Sequence, residues 1–248
     1  MTEELFAIPA SSRSSFQARA KRTTEDRPLG LQGKTTREIT KGVVFIPGAW
    51  NTTLVQQADG IVVIEAPISS GYSARVIEEA GKRFPGAPIK AVISTSDSWP
   101  HIGGVREYVA RGIPVYVLDR TRPLLERLVA APRSSFPDRL ATNQREPEFR
   151  TVSEKTVIGT GPNRLEIYPI RGETSERQMM VYFPQYKLLY GSDPFQKLDD
   201  GTYFLPQTVW ELLTAVVREK LAVETFFMMH MDPTPWREAL DAVRKAER

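Results

Sequence analysis

A mixed α/β fold with a partly parallel sheet is the class this sequence predicts, on three observations. Between Gly42 and Ile64, short β-branched runs are separated by the turn dipeptides Pro47-Gly48 and Asp59-Gly60, the pattern of consecutive strands joined by tight turns. From Tyr72 onward, amphipathic stretches alternate with short apolar runs, which implies right-handed crossovers between parallel strands. After about residue 150 the same texture recurs, with apolar runs followed again by helical periodicity.

Taken in order, residues 1–41 read as a polar arm or linker. Ser11-Ser12-Arg13-Ser14-Ser15 and the run from Arg19 to Arg27 are aperiodic, and such a composition does not repay the entropy of ordering. Val43–Ile46, Thr52–Val55 and Ile61–Ile64 are predicted strands; the last is apolar throughout, as for a strand covered on both faces. Tyr72–Phe84 places Val76, Ile77 and Ala80 on one face and charged residues on the other, predicting a helix that Pro85-Gly86 ends. Ile89–Ser94 is the next strand, followed by a polar loop and a helix over His101–Arg111, which Gly112 ends. Pro114–Leu118 predicts a strand and Pro123–Ala131 a helix, with proline suited to its first turn. Residues 132–150 read as a long surface connection. In the second half, Leu165–Tyr168, Met179–Phe183, Lys187–Tyr190 and Thr225–Met229 predict strands, while Val209–Leu221 and Pro235–Glu247 predict helices.

Composition narrows the function classes. Of 248 residues, 41% are apolar and 25% charged, enough apolar content for a sizeable core. No run approaches the ~20 apolar residues that span a bilayer, so no membrane span is expected. The start, Met1-Thr2-Glu3-Glu4-Leu5, lacks the pattern of a signal peptide, which makes cytoplasmic the default expectation. The net charge is +3, and residues 1–41, with eight Lys or Arg against five Asp or Glu, carry all of it. A nucleic-acid binder concentrates basic charge on its folded surface; nucleic acid is therefore not an expected partner. With no cysteine there are neither disulfides nor thiolate ligands. Walker, dinucleotide-binding and G-x-S-x-G patterns are absent. Asn51-Thr52-Thr53 fits a glycosylation sequon.

The chemistry-bearing stretch is Ser94-Thr95-Ser96-Asp97-Ser98-Trp99-Pro100-His101-Ile102-Gly103-Gly104. It lies where a predicted strand ends and a helix begins, a common place for α/β proteins to put a site. His101 is one of only two histidines; the other, His230, ends another apolar run.

This loop resembles the signature of the metallo-β-lactamase-fold superfamily, T-H-x-H-x-D-H-x-G-G. Thr95, His101, Gly103 and Gly104 match it, Ser96 and Ser98 stand where two histidines would be, and Pro100 replaces an aspartate. Gly172-Glu173-Thr174 falls where the superfamily carries G-H-T. Leu189-Tyr190-Gly191-Ser192-Asp193 resembles the strand ending in the metal-bridging aspartate, and Met229-His230-Met231 the strand ending in the last histidine. The resemblance covers about residues 42–248 and implies a four-layer αβ/βα sandwich as one domain.

Carried over residue by residue, the resemblance implies metal ligands at His101, Asp193 and His230, the remainder of a two-metal site whose first half is lost with Ser96, Ser98 and Glu173. Two imidazoles and a carboxylate satisfy the three protein ligands that zinc or iron takes beside an open position. The expected cofactor is therefore zinc or iron at no more than one ion per chain, or none. Asp97 and Glu173 are the candidate general bases. The expected function is a hydrolase-like protein acting on an ester, amide or thioester of a small-molecule substrate. The alternative is a catalytically inactive member of the fold serving as a binding or interaction module. A homo-oligomer is compatible with either.

Overall fold

A computed structural model describes residues 28–246 except 32, 195, 199–201 and 205. The arm expected at the N-terminus lies outside the described residues up to position 27. Its last part does not behave as an arm: Arg37–Thr40 (β1) pairs antiparallel with Val43–Ile46 (β2) at the edge of the first sheet.

That sheet continues through Thr52–Gln57 (β3), Gly60–Ile64 (β4), Ile89–Ser94 (β5), Val115–Leu118 (β6) and Phe149–Val152 (β7), in sequential order. The β1–β4 part is an antiparallel meander; β4, β5, β6 and β7 are parallel. The crossovers carry the helices Ser70–Arg83 (α1), Trp99–Ile102 (α2), Val105–Ala110 (α3), Arg122–Ala130 (α4) and Arg139–Thr142 (α5). The second sheet runs in the order Met231–Pro235 (β15), Thr225–Met228 (β14), Leu188–Tyr190 (β11), Met179–Phe183 (β10), Leu165–Pro169 (β9) and Thr156–Ile158 (β8). Between them in sequence fall a small hairpin of Gln196–Lys197 (β12) and Tyr203–Phe204 (β13), and the helix Pro206–Arg218 (α6). The last described element is the helix Trp236–Ala246 (α7).

Strand alternation sorts the side chains into three cores, which makes four layers. In β2, Val44 and Ile46 face the α1/α3/α4 side, while Val43 and Phe45 face the second sheet. In β4, Ile61 and Val63 take the helix side and Val62 and Ile64 the inter-sheet side. In β10, Met179, Val181 and Phe183 meet the first sheet, whereas Met180 and Tyr182 pack under α6 and α7. Strands covered on both faces lose the apolar–polar alternation of half-exposed ones, which is why β4 and β10 are apolar throughout.

The expected helix over His101–Arg111 is two short helices broken at Gly103-Gly104. A Cβ on Gly103 would run into the backbone of Ile68, and one on Gly104 would come within 2.7 Å of the Ser69 carbonyl. The two glycines let this segment lie directly on the loop leaving β4, where Gly104 N–H donates to the Ala66 carbonyl at 2.8 Å. The long connection over 132–150 holds α5 and leads into β7. Among the described residues no helix is long and apolar enough to cross a membrane.

Candidate functional site

Four strands of the two sheets deliver polar residues to one edge of the sandwich. β4 leads to Glu65, β5 to Thr95, β11 to Ser192 and Asp193, and β14 to His230. Backbone hydrogen bonds stitch these strand ends together: Glu65 N–H to Ile93 O, Met179 N–H to Thr95 O, Gly191 N–H to Phe227 O and Met229 N–H to Ser192 O, at 2.8–3.0 Å. Glu65 (φ +77°) and Ser192 (φ +62°) both hold left-handed backbone, a costly conformation for residues other than glycine, which persists where the surroundings over-determine it.

His101 lies in α2 and is fully buried. Its Nδ1 is 3.0 Å from Glu65 Oε2, and its Nε2 is 3.8 Å from Asp193 Oδ2. His230 Nε2 is 3.6 Å from the other carboxylate oxygen, Asp193 Oδ1. On its far side, His230 Nδ1 donates to the Ala49 carbonyl at 2.8 Å, which leaves Nε2 as the nitrogen turned toward Asp193. The structure thus brings His101, Asp193 and His230 together, across separations of 92 and 37 residues in sequence.

Glu65 anchors this cluster, although the sequence reading did not single it out. Fully buried, it accepts hydrogen bonds from Tyr190 Oη at 2.9 Å and from Thr95 Oγ1, and Thr95 Oγ1 also meets Ser192 Oγ at 2.7 Å. The available signal was an acid placed directly after an all-apolar strand, where a charge needs a partner. Burial opposes charging of His101, but the Glu65 and Asp193 carboxylates outweigh it and raise its pKa to about 9. For Asp193, burial pushes upward, and the two imidazoles outweigh it and lower the pKa to about 2.

Among the described residues, no ion pair joins either candidate base to this cluster. Asp97 is ion-paired to Arg177 Nε at 2.6 Å, so its carboxylate is engaged. Glu173 is exposed in the turn after β9, a turn held by Glu211, whose carboxylate accepts the backbone N–H groups of Thr174 and Ser175 at 2.9 Å. Ser96, buried, accepts the Ser98 N–H on its Oγ at 3.2 Å; it serves the loop. Asn51 of the sequon is buried, and its amide donates to the Met228 and Met231 carbonyls at 3.0 and 3.3 Å, so that nitrogen is engaged in the corner that carries His230.

Among the described residues, no group of three or more His, Cys, Asp or Glu is placed so that it could hold a metal ion. The arrangement is pairwise, each imidazole facing one oxygen of a single carboxylate. Those N···O separations are too long for hydrogen bonds, and His101 Nε2 and Asp193 Oδ1 are buried without one. Two ligands at ~2.0–2.1 Å from one tetrahedral ion stand about 3.3–3.4 Å apart, close to what is observed. Two imidazoles and a carboxylate are donor types that zinc or iron takes.

The two-sheet architecture and its layer order are those of the metallo-β-lactamase fold. DIM-1 metallo-β-lactamase matches with a TM-score of 0.66 and 15% identity over 89% of this chain and 98% of that one. The metallo-β-lactamase FIM-1 from Pseudomonas aeruginosa, in a mono-zinc form, matches at 0.65 and 16% identity, covering 90% and 96%. The sec-alkylsulfatase Pisa1 from Pseudomonas sp. matches at 0.60 and 15% identity over 83% of this chain but 40% of its own. The chain is a divergent member of this fold. No protein-family model matches the sequence, and no curated protein matches it.

Proposed function

We propose that the protein is a metal-dependent hydrolase with a single ion held by His101, Asp193 and His230, acting on a carbonyl compound such as an ester, amide or thioester. The observation that carries this reading is the facing of both Nε2 atoms onto the two oxygens of one carboxylate, at 3.8 and 3.6 Å. Zinc or iron in such a site supplies Lewis acidity, polarising a carbonyl and acidifying water.

The chain's own residues prepare the site. Glu65 takes the Nδ1 side of His101, and the Ala49 carbonyl takes the Nδ1 proton of His230; such outer partners orient ligating imidazoles and fix their tautomers. Asp193 supplies the negative charge. Asp97 can act as a base only by leaving Arg177, and Glu173 only if its turn moves inward.

The rival reading, an inactive binding module, draws on the same ion pairs: a proton on His101 already compensates Glu65 and Asp193. Zinc-loaded protein prepared without a histidine tag, assayed on p-nitrophenyl esters and thioesters, separates the two. Turnover that a chelator and His101→Ala, Asp193→Ala and His230→Ala each abolish supports the hydrolase. Absence of both metal and turnover supports the module.

A further inference from the structure

A groove of about 1140 Å³ opens on the helix side of the first sheet, between α4 and the connection that runs through α5 into β7. None of His101, Asp193 and His230 lines it. Its shape is set from beneath by Arg106, in α3, which is buried although charged. The guanidinium donates to the Leu128, Val129 and Ala131 carbonyls, at the end of α4 where a helix leaves them without intrahelical partners. It also forms a two-point pair with Asp138 at 2.5 and 3.0 Å. Asp138 in turn caps α5 by accepting the Ala141 N–H at 2.9 Å. One side chain thus ties both walls together, and a two-point arginine–carboxylate pair fixes the geometry of its partners.

Positive charge is left over on the rim. Both Asp138 oxygens are taken by Arg106 and the α5 cap, so Arg133 interacts with that carboxylate only through space. Arg145 is paired with no acid among the described residues; its guanidinium lies over Gly112, where an added Cβ would run into it. Residues 120–150 hold seven arginines, no lysine and four acids, a local excess of three positive charges in a body, residues 42–248, whose charges balance.

The groove ends on an open strand edge. Within the first sheet, β7 pairs with β6 alone. Val115 and Asp119 donate their N–H groups to the Glu148 and Val152 carbonyls. By alternation, residues 148, 150 and 152 turn their backbone to β6, and Phe149 and Thr151 turn theirs outward. Phe149 lines the groove, and Arg122, on its rim, donates to Thr151 Oγ1 at 2.9 Å. The open edge and the arginine rim therefore share one flank.

We propose that this groove binds an acidic, extended peptide segment of a partner protein, which adds to β7 as a further strand and sets its carboxylates on Arg133 and Arg145. An exposed edge supplies the backbone hydrogen bonds for strand addition. Val129 and Phe149 offer an apolar floor to alternate side chains, and arginine matches a carboxylate at two points where lysine cannot. Glu126 and Glu146 stand among the arginines, which suits spaced carboxylates and opposes a continuous phosphate track. The proposal is independent of whether the histidine cluster binds metal or hydrolyses anything.

Fluorescence anisotropy tests it on the full chain, with a fluorescein-labelled peptide of alternating Glu and Val. The controls are the same peptide with Gln or Lys in place of Glu, and one N-methylated at alternate backbone amides. The expected result is saturable binding of the Glu peptide, weaker binding of the Gln peptide, and none of the Lys or methylated peptides. Arg133→Gln and Arg145→Gln should each weaken binding by up to about fivefold, the range for an exposed ion pair. Arg237→Gln, on α7, should leave it unchanged. Circular dichroism checks the fold of each variant, and the peptide controls use wild-type protein, so the test stands if a variant unfolds. No saturable binding, equal affinity for the Gln or methylated peptide, or affinity untouched by both arginine substitutions overturns the proposal. Tighter binding of single-stranded oligothymidylate would assign the groove to nucleic acid, and self-association that Arg145→Gln abolishes would assign it to a second copy; either overturns the peptide reading.

Discussion

Replacing Glu65 by glutamine removes one charge from the centre of the site and changes little else in shape. In the wild type, one oxygen of Glu65 accepts the Tyr190 and Thr95 hydroxyls, and the other lies 3.0 Å from His101 Nδ1. Burial alone would hold His101 neutral, yet its pKa stands at about 9 against an ordinary 6.5. At about 1.4 kcal/mol per unit, that elevation corresponds to roughly 3 kcal/mol of stability near neutral pH. Glu65 is the nearer of the two carboxylates responsible, so Glu65→Gln should cost about 2–3 kcal/mol in metal-free protein. With an urea dependence of about 2 kcal/mol per molar, the unfolding midpoint should fall by about 1 M. The His101 resonance should titrate near or below 6.5 instead of near 9. With two histidines in the chain, NMR distinguishes them by comparison with a His230→Ala sample. A glutamine amide turned toward Nδ1 would also shift the imidazole proton to Nε2 and hinder metal uptake. An unchanged midpoint together with a His101 titration still near 9 would refute the assignment of Glu65 as its partner.

Two further outcomes follow from the same geometry. Because the folded pKa of His101 is raised, its stabilisation is full below pH 6.5 and is lost as pH rises through about 9; because that of Asp193 is depressed, its share is full above pH 3.8 and is lost as pH falls through about 2. Unfolding free energy of the metal-free protein, measured across this range, should therefore decline at both ends, and Asp193→Asn should flatten the acid limb. The combined change Ser96→His, Ser98→His and Glu173→His should raise zinc binding by one ion per chain if this edge keeps the fold's two-metal geometry. An unaltered count by elemental analysis would show that the exposed Glu173 turn and the Ser96 loop have moved away from it.

Much of this architecture was legible because local and tertiary demands agree. β2, β4, β5 and β10 are β-branched or apolar runs, and their strand bounds emerge as the periodicity and the flanking turns place them. The strands of the two large sheets that escaped notice are edges. β15 is Met-Asp-Pro-Thr-Pro, which reads as a turn, yet it pairs with β14 as the last strand of its sheet, a place where proline is tolerated. β7 hides in Phe-Arg-Thr-Val, with two of its four residues exposed. At the site, the motif frame indicated His101, Asp193 and His230, while the sequence carried no sign that Arg177, 80 positions from Asp97, would occupy that carboxylate. Long-range ion pairs between exposed and half-buried side chains leave no periodic trace. Glu65 did leave one, as a buried acid after a wholly buried strand.

Metal stoichiometry tests the account at its centre. Protein without a histidine tag, stripped with chelator and dialysed against zinc at neutral pH, is analysed for metal per chain by elemental analysis. The predicted result is one ion in the wild type, none in His101→Ala, Asp193→Ala or His230→Ala, and progressively weaker binding in the wild type as pH falls, because protons compete with the ion for the ligands. Two tightly held ions in the wild type, none at all, or one ion that survives all three substitutions would contradict it.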